Sequence, residues 1–384
     1  MIQTIIILGN HIQGLGVSRI CHRLGLAVYL YNEDRLCVTR FSRTCKRFYQ
    51  FDGEADLLQQ LLQLEVPNQT ALLMPTNDRF VGFMADHYQA LGEKYHLSIP
   101  SPEITDICFN KIKTYTRARE LGIPIPESHF PKSEEEVRAL QDQIDYPVII
   151  KPAVMYKFYS KLKKKVFLCR NPQELLENFR LATQVIVADE IIVQEFLPGG
   201  PTQLYSFGSF CSGDQVWGSF VANRVRQKPM DFGVATTFAK TVVNERIDEL
   251  AQQFLTGIKY FGLSEVEFMY DKHRNDFKLI EINPRTWKWH SIANKVGINL
   301  IKMMIDYLNG QELVVQRNQR TNLGWTERLT DTYIALTEIA KGRMRWQDYY
   351  HTMQLEKEYA CFSWSDPLPG LMYLLMSPYL LFKR

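Results

Sequence analysis

Glu265-Val-Glu-Phe-Met-Tyr270 and Leu279-Ile-Glu-Ile-Asn-Pro-Arg285 decide how this chain reads. Both alternate acidic or amide side chains with apolar ones, the two-residue period of a strand with one buried face. Glu265 and Glu267 therefore share a face opposite Val266 and Phe268, and Glu281 and Asn283 share one opposite Ile280 and Ile282. Between them, Asp271-Lys-His-Arg-Asn-Asp276 has turn composition, which predicts an antiparallel hairpin. Such a hairpin gathers two or three carboxylates and one amide oxygen on one surface. Hard oxygen donors of this kind hold Mg2+, which keeps waters and substrate phosphates as its other ligands. Pro284 ends the second strand, and Arg285 follows as a fixed cation beside the carboxylates. The competing reading is a solvated amphipathic hairpin, and the rest of the chain has to decide between the two.

Upstream, Thr4-Ile-Ile-Ile-Leu8 is a short, wholly apolar strand of the kind found in buried parallel sheets. Gly9-Asn-His-Ile-Gln-Gly-Leu-Gly16 follows, then a helical pattern to about Leu24, a stop at Gly25 and a second strand from Ala27 to Tyr31. This is a β-α-β unit of the doubly wound type. Its glycines do not have G-x-G-x-x-G spacing, and no Lys-Ser/Thr follows, so their reading is a tight strand-to-helix turn rather than a dinucleotide or P-loop site. Ala71 to Met74 is another buried strand, ending in Pro75-Thr-Asn-Asp78 before a helix. Asp78 reads as that helix's N-cap, or as a substrate contact at the carboxyl edge of the sheet. A helix is expected from Thr105 to Leu121, stopped by Gly122 and Pro124.

The middle of the chain delivers polar groups in an ordered series. Lys111 lies on the 105–121 helix. Lys151 ends the apolar strand Val148-Ile-Ile-Lys151. Lys157, Lys161, Lys163, Lys164 and Lys165 follow in a segment, 152–166, that has no glycine. Ile191-Ile-Val-Gln-Glu195 is a strand running into Pro198-Gly-Gly-Pro201, and Arg224 and Arg226 come before the hairpin. Leu204–Phe210 and Val216–Ala222 read as hairpin partners, and Ile247–Ile258 as a helix. The series suits a nucleoside triphosphate. A strand-end lysine binds phosphate oxygens as a point charge, a strand emerging into a turn offers backbone groups to a base edge, and acidic residues hold the bridging metals.

Totals set limits. The chain has 384 residues, 46% of them hydrophobic, which is enough for two or three domains. Lys+Arg 45 against Asp+Glu 42 gives a charge of +3, no field for nucleic acid or an acidic polymer. Seven scattered cysteines without metal spacing predict reduced thiols in a cytoplasmic protein. The N-terminus has no cationic leader pattern, and no apolar run is long enough to span a membrane.

Taken in order, these stretches resemble the ATP-grasp superfamily of carboxylate–amine ligases, and within it the D-aspartate-ligase-like group. The resemblance rests on Asn110-Lys111 with Leu-Gly-Ile-Pro-Ile-Pro126; Tyr146-Pro-Val-Ile-Ile-Lys-Pro152; Val193-Gln-Glu-Phe-Leu-Pro-Gly-Gly200; and Asn223-Arg-Val-Arg-Gln-Lys-Pro229 with Phe232-Gly-Val-Ala-Thr236. Glu265-Val-Glu-Phe268 and Leu279-Ile-Glu-Ile-Asn-Pro-Arg285 complete it, so that it covers roughly residues 4 to 305. It implies an α/β (α+β) fold. A Rossmann-like domain (1–104) precedes a two-lobed ATP-grasp unit (105–192 and 193–312) and a helical C-terminal extension (313–384). It also implies ATP with Mg2+ or Mn2+. Lys111 and Lys151 fall on phosphates; Gln194, Glu195, Phe196 and Leu197 line the adenine pocket, with Gln203 near the ribose. Glu267 and Glu281 become metal ligands, with Asn283 on a second ion, and Arg224 and Arg285 stabilise an acyl phosphate. Asp78 and Arg226 are candidate substrate contacts. Relatives cover the phosphates with a glycine-rich loop where this chain has 152–166, so its lysines are expected to replace backbone N–H groups as the lid.

The implied partners are a small carboxylate and an amine, an amino acid or a cell-envelope precursor among them, and no nucleic acid. Three other readings compete: a nucleotide-binding scaffold or sensor without turnover, an ATP-dependent carboxylase or carbamoyl-phosphate-forming enzyme, and an NAD-dependent oxidoreductase. The last leaves the hairpin unexplained. The tail from Trp364 to Arg384 is apolar, punctuated by proline and ends in two cations. It is expected to pack on the protein or at a homodimer contact; the alternative is a peripheral seat in a membrane interface.

Overall fold

Strand β1 (Thr4–Leu8) is buried along its whole length because each of its faces meets a different core. Ile5 and Ile7 join one apolar cluster, and Ile6 and Leu8 join another. That is why the strand is apolar without alternation. The computed structural model describes all 384 residues except 11, 155–165, 231–232, 234 and 384, and only the backbone of 378–383. The expected lid lysines lie outside the described residues. β1 pairs in parallel with β2 (Ala27–Asn32) and β4 (Ala71–Pro75). With β3 (Arg47–Gln50) and β5 (His96–Leu97) they form a five-stranded sheet of order β3-β2-β1-β4-β5. Gly9 makes the turn out of β1 at φ +96°, where a Cβ would sit 2.3 Å from Thr76 Oγ1.

A second sheet has the order β6-β9-β7-β8, from β6 (Ser128–His129), β7 (Val148–Pro152), β8 (Phe167–Cys169) and β9 (Ile191–Glu195). The third and largest sheet runs β14-β13-β10-β11-β12 through β10 (Leu204–Ser212), β11 (Gln215–Lys228), β12 (Ala235–Val242), β13 (Phe261–Asp271) and β14 (Asp276–Asn283). The C-terminal extension is not only helical. β15 (Gln316–Arg317) pairs with β11, and β16 (Gly324–Thr326) and β17 (Lys357–Tyr359) extend the sheet beyond β12.

The helix expected from Thr105 to Leu121 is two helices, Pro102–Phe109 and Lys111–Glu120. Asn110 breaks them apart, because its side-chain oxygen accepts from the N–H of Ile112 at 3.0 Å and caps the second helix. The break puts Lys111 at a helix start, not inside a helix.

The N-terminal domain docks on the rest of the chain through the helix Ile12–Arg23. A Cβ on Gly16 would lie 2.8 Å from Cε1 of His290, so only glycine lets these two segments meet. Burial pushes the His290 imidazole down to about 4, against one bond between Nδ1 and the Trp287 carbonyl at 2.8 Å. The folded protein thus binds the neutral ring, and falling pH favours the unfolded chain from about pH 6.5 until the folded-state value near 4 is reached. Between pH 7 and pH 5 this group alone should remove about 2 kcal/mol of stability. Denaturant melts of wild type and His290→Gln at the two pH values check it; equal losses would show that His290 does not titrate on unfolding.

The tail forms the helix Leu368–Lys383 and packs against residues 38–41 of the N-terminal domain. Asp366, just before it, is buried and accepts from Arg19 Nε at 2.9 Å, Ser42 Oγ at 2.7 Å and the N–H of Arg43 at 3.1 Å. Leu371 and Leu375, on the helix's outer side, stay exposed. No helix among the described residues is long and apolar enough to cross a membrane.

Candidate active site

The two quoted segments are β13 and β14, paired antiparallel with Glu265 opposite Asn283 and Glu267 opposite Glu281. Directly opposed residues share a face, so three carboxylates and an amide converge on one patch of the large sheet. β11 contributes Arg224 from two strands away. Its Nη2 donates to Glu267 Oε1 at 2.5 Å and lies 3.5 Å from Glu265 Oε1. Lys111, released by the break at Asn110, donates from Nζ to Glu281 Oε2 at 2.7 Å. Asn283 donates to Glu265 Oε2 at 3.1 Å, and its Oδ1 accepts from Arg285 Nη2 at 3.3 Å. Arg285 Nε donates to Asp78 Oδ1 at 2.6 Å, which ties the hairpin to the N-terminal domain.

The electrostatics of the patch follow from burial. Desolvation raises Glu265 to about 8, reinforced by Glu267 and opposed by Arg224. Burial works against the charges of Lys111 and Arg224. The carboxylates beside them outweigh it and lift both above their ordinary values. Lys151 goes the other way. Burial lowers it, the Lys111 ammonium adds to the fall, and Tyr115 opposes it. Its Nζ donates to Tyr115 Oη at 2.6 Å, and Tyr115 in turn donates to the carbonyl of Ile280 at 2.8 Å.

Beside this patch, β9 carries Gln194, whose Nε2 donates to Ser128 Oγ at 2.7 Å. The N–H of Glu195 donates to the Glu127 carbonyl and that of Phe196 to the Pro147 carbonyl, which fixes the exit of the strand toward Leu197. Glu195 also pairs with Lys278, which holds Asp271 at 2.8 Å. Gln203 closes the short 3-10 turn Gly200–Gln203, packed under Gly199.

One expected helix cap and one expected contact lie elsewhere. Asn77, not Asp78, caps its helix, accepting from the N–H of Phe80 at 3.0 Å; Asp78 is left to hold Arg285. Arg226 does not share the face of Arg224. β11 pairs Arg224 with Ala239 but Arg226 with Phe238, so Val225 is an extra residue that turns Arg226 to the other side. There Arg226 is fully buried and forks onto Asp331 with two 2.8 Å bonds. Two side chains went unnoticed in the sequence, Tyr115 and Lys278. Tyr115 had a signal, being four residues after Lys111 on one helix face.

Among the described residues, no three His, Cys, Asp or Glu side chains come together as a metal group. Lys111 and Arg224 meet the carboxylates instead. The donors nevertheless suit Mg2+: two glutamates face each other across one register step, an amide oxygen lies beside them, and Glu265 Oε1, 3.5 Å from Arg224 Nη2, is buried without a hydrogen bond among the described residues.

Residues 221–316 match the family model described as Carbamoyl-phosphate synthase L chain, ATP binding domain. The D-aspartate ligase of Enterococcus faecium is 23% identical over 317 residues, covering 78% of this chain and 75% of that protein. The fold matches N5-carboxyaminoimidazole synthetase from Staphylococcus aureus with a TM-score of 0.68 at 16% identity, over 90% of this chain and 87% of the other. It also matches the biotin carboxylase domain of 2-oxoglutarate carboxylase from Hydrogenobacter thermophilus, solved with MgADP and bicarbonate, with a TM-score of 0.67 at 16% identity over 84% and 73%. In its carboxylate hairpin, its lysines at positions 111 and 151 and its architecture together, the chain is similar to proteins of the ATP-grasp superfamily.

Proposed function

We propose that the protein is an ATP-dependent ligase that joins a carboxylate to an amine through an acyl phosphate, releasing ADP and phosphate. The observation that carries this reading is the register of β13 and β14, which sets Glu267 against Glu281 and Glu265 against Asn283 with Arg224, Arg285 and Lys111 touching that same patch. Glu267, Glu281 and Asn283 would hold Mg2+, which would supply positive charge to neutralise the phosphates. Lys151 has the most to gain from an arriving phosphate, since burial and Lys111 disfavour its charge. Leu197, at the end of the fixed β9 exit, faces adenine recognition. The substrate carboxylate attacks the γ-phosphorus while Arg224 spreads the developing charge. Arg285, held by Asp78 and Asn283, steadies the acyl phosphate until the amine displaces phosphate. Exclusion of water by the surrounding lobes protects that intermediate from hydrolysis.

Mg-ATP turnover against pooled carboxylates, with and without pooled amines, tests this, scoring ADP, AMP and phosphate. ADP and phosphate that need a carboxylate are expected. AMP release, or no turnover with any pool, would overturn the reading, and turnover with bicarbonate alone would favour the carboxylase alternative.

A further inference from the structure

Lys151 is only 5% exposed, and among the described residues its Nζ has one hydrogen-bond partner, Tyr115 Oη at 2.6 Å. An ammonium carries three N–H donors. Two are therefore left without an acceptor, which costs free energy until a ligand supplies one. Tyr115 is wholly buried, and its hydroxyl donates to the carbonyl of Ile280 at 2.8 Å. A carbonyl only accepts, so the one phenol hydrogen is committed there and the phenol oxygen can only accept from Lys151. The hydroxyl thus has a single orientation, with Lys151 on one side and β14 on the other.

We propose that Tyr115 is a positioning residue for ATP: it holds the Lys151 ammonium, carried by β7 of the second sheet, in register with the β14 strand that bears Glu281 and Asn283, and leaves the other two N–H donors for phosphate oxygens. The inference rests on the ligase reading above, in which Lys151 meets phosphate and Glu281 holds Mg2+. The helix Lys111–Glu120 makes the same connection at its start. The N–H of Lys111 donates to the carbonyl of Ala153, just past β7, at 3.0 Å, and Lys111 Nζ holds Glu281. Lys111 and Tyr115, one helical turn apart, therefore join the end of β7 to two successive residues of β14. Ile280 is also the residue that β13 skips, since Glu267 pairs with Glu281 and Phe268 with Leu279. Tyr115 thus grips the strand at the irregularity that sets Glu281 opposite Glu267. A lysine stem has several rotatable bonds, and a phenol that orders it beforehand removes that cost from nucleotide binding. Tyr115 also belongs to the apolar cluster of Phe268 and Leu279, so a purely structural side chain is the alternative to exclude.

Calorimetry of the full chain with Mg2+ and a non-hydrolysable ATP analogue tests this through a double-mutant cycle of Tyr115→Phe and Lys151→Met. Phenylalanine keeps the ring in the core and removes only the hydroxyl. With Lys151 present, Tyr115→Phe should weaken analogue binding about tenfold, the scale of a hydrogen bond to a charged group. On the Lys151→Met background the same change should cost less than about twofold, because the two residues act as a pair. A merely structural tyrosine would cost the same on both backgrounds. If Tyr115→Phe does not fold, 3-fluorotyrosine in place of Tyr115 keeps the hydroxyl and reports on it. Its fluorine resonance should shift at saturating analogue, and the shift should vanish with Lys151→Met. Equal losses on both backgrounds, no loss with Lys151 present, or a fluorine shift that survives Lys151→Met would overturn the role of Tyr115 and leave the ligase reading standing. No analogue binding by the wild type would overturn the ligase reading and this inference with it.

Discussion

Glu281→Gln should lower ADP formation by a factor of about 1,000 or more, about 4 kcal/mol of barrier, with the melting temperature within a few degrees of wild type. Two observations set these expectations apart. Glu281 faces Glu267 across the hairpin and accepts from Lys111 at 2.7 Å. Glutamine keeps the shape and still accepts from Lys111, so the helix start at Asn110 and the strand register keep their supports. What it removes is the charge. A neutral amide is a poor Mg2+ ligand beside a carboxylate, and charge stabilisation at a phosphoryl-transfer site is usually the largest single contribution to rate. Binding of a non-hydrolysable ATP analogue should weaken with it, and raising Mg2+ should recover part of that binding. Turnover within tenfold of wild type would remove Glu281 from the metal site.

The carboxylate hairpin was legible because its two-residue alternation survives folding: Val266 and Ile282 are buried while Glu267 and Glu281 oppose each other. β1 was legible for a related reason, since an all-apolar strand has two buried faces. What the sequence hid came from bulges, where one extra residue reverses the alternation beyond it. Val225 is such a residue in β11 and turns Arg226 away from the face of Arg224. Ile280 is another in β14: Glu281 pairs with Glu267, yet Leu279 pairs with Phe268 and Lys278 with Met269. Lys278 thereby lands on the face of Glu267, where counting by twos places it among the apolar side chains, and it pairs there with Glu195 and Asp271. The cap at Asn110 was hidden for a different reason. Helix periodicity runs through it, and only the side-chain bond to the N–H of Ile112 shows that the chain restarts there.

Arg226→Ala should destabilise the protein by about 3–5 kcal/mol, the cost of leaving one member of a buried ion pair alone. Arg226 is 1% exposed and Asp331 2%. The guanidinium fork meets both carboxylate oxygens at 2.8 Å, adds Thr352 Oγ1 at 2.9 Å and lies over the rings of Phe238 and Tyr349. Thr237 Oγ1 donates to the same carboxylate at 2.9 Å. These contacts bind β11 to the helices Arg328–Ala340 and Trp346–Gln354, so the loss should appear first as loosening of the C-terminal extension, read by hydrogen exchange, before the global melt. Arg226→Met with Asp331→Leu should recover most of the loss, because apolar residues of similar volume leave no unpaired charge. Enzyme assays separate this role from a substrate contact. Below the melting transition, Arg226→Met with Asp331→Leu should keep the KM for both substrates, since the bulge at Val225 turns position 226 away from Glu267. A raised KM with unchanged stability would return Arg226 to the active site and contradict the register.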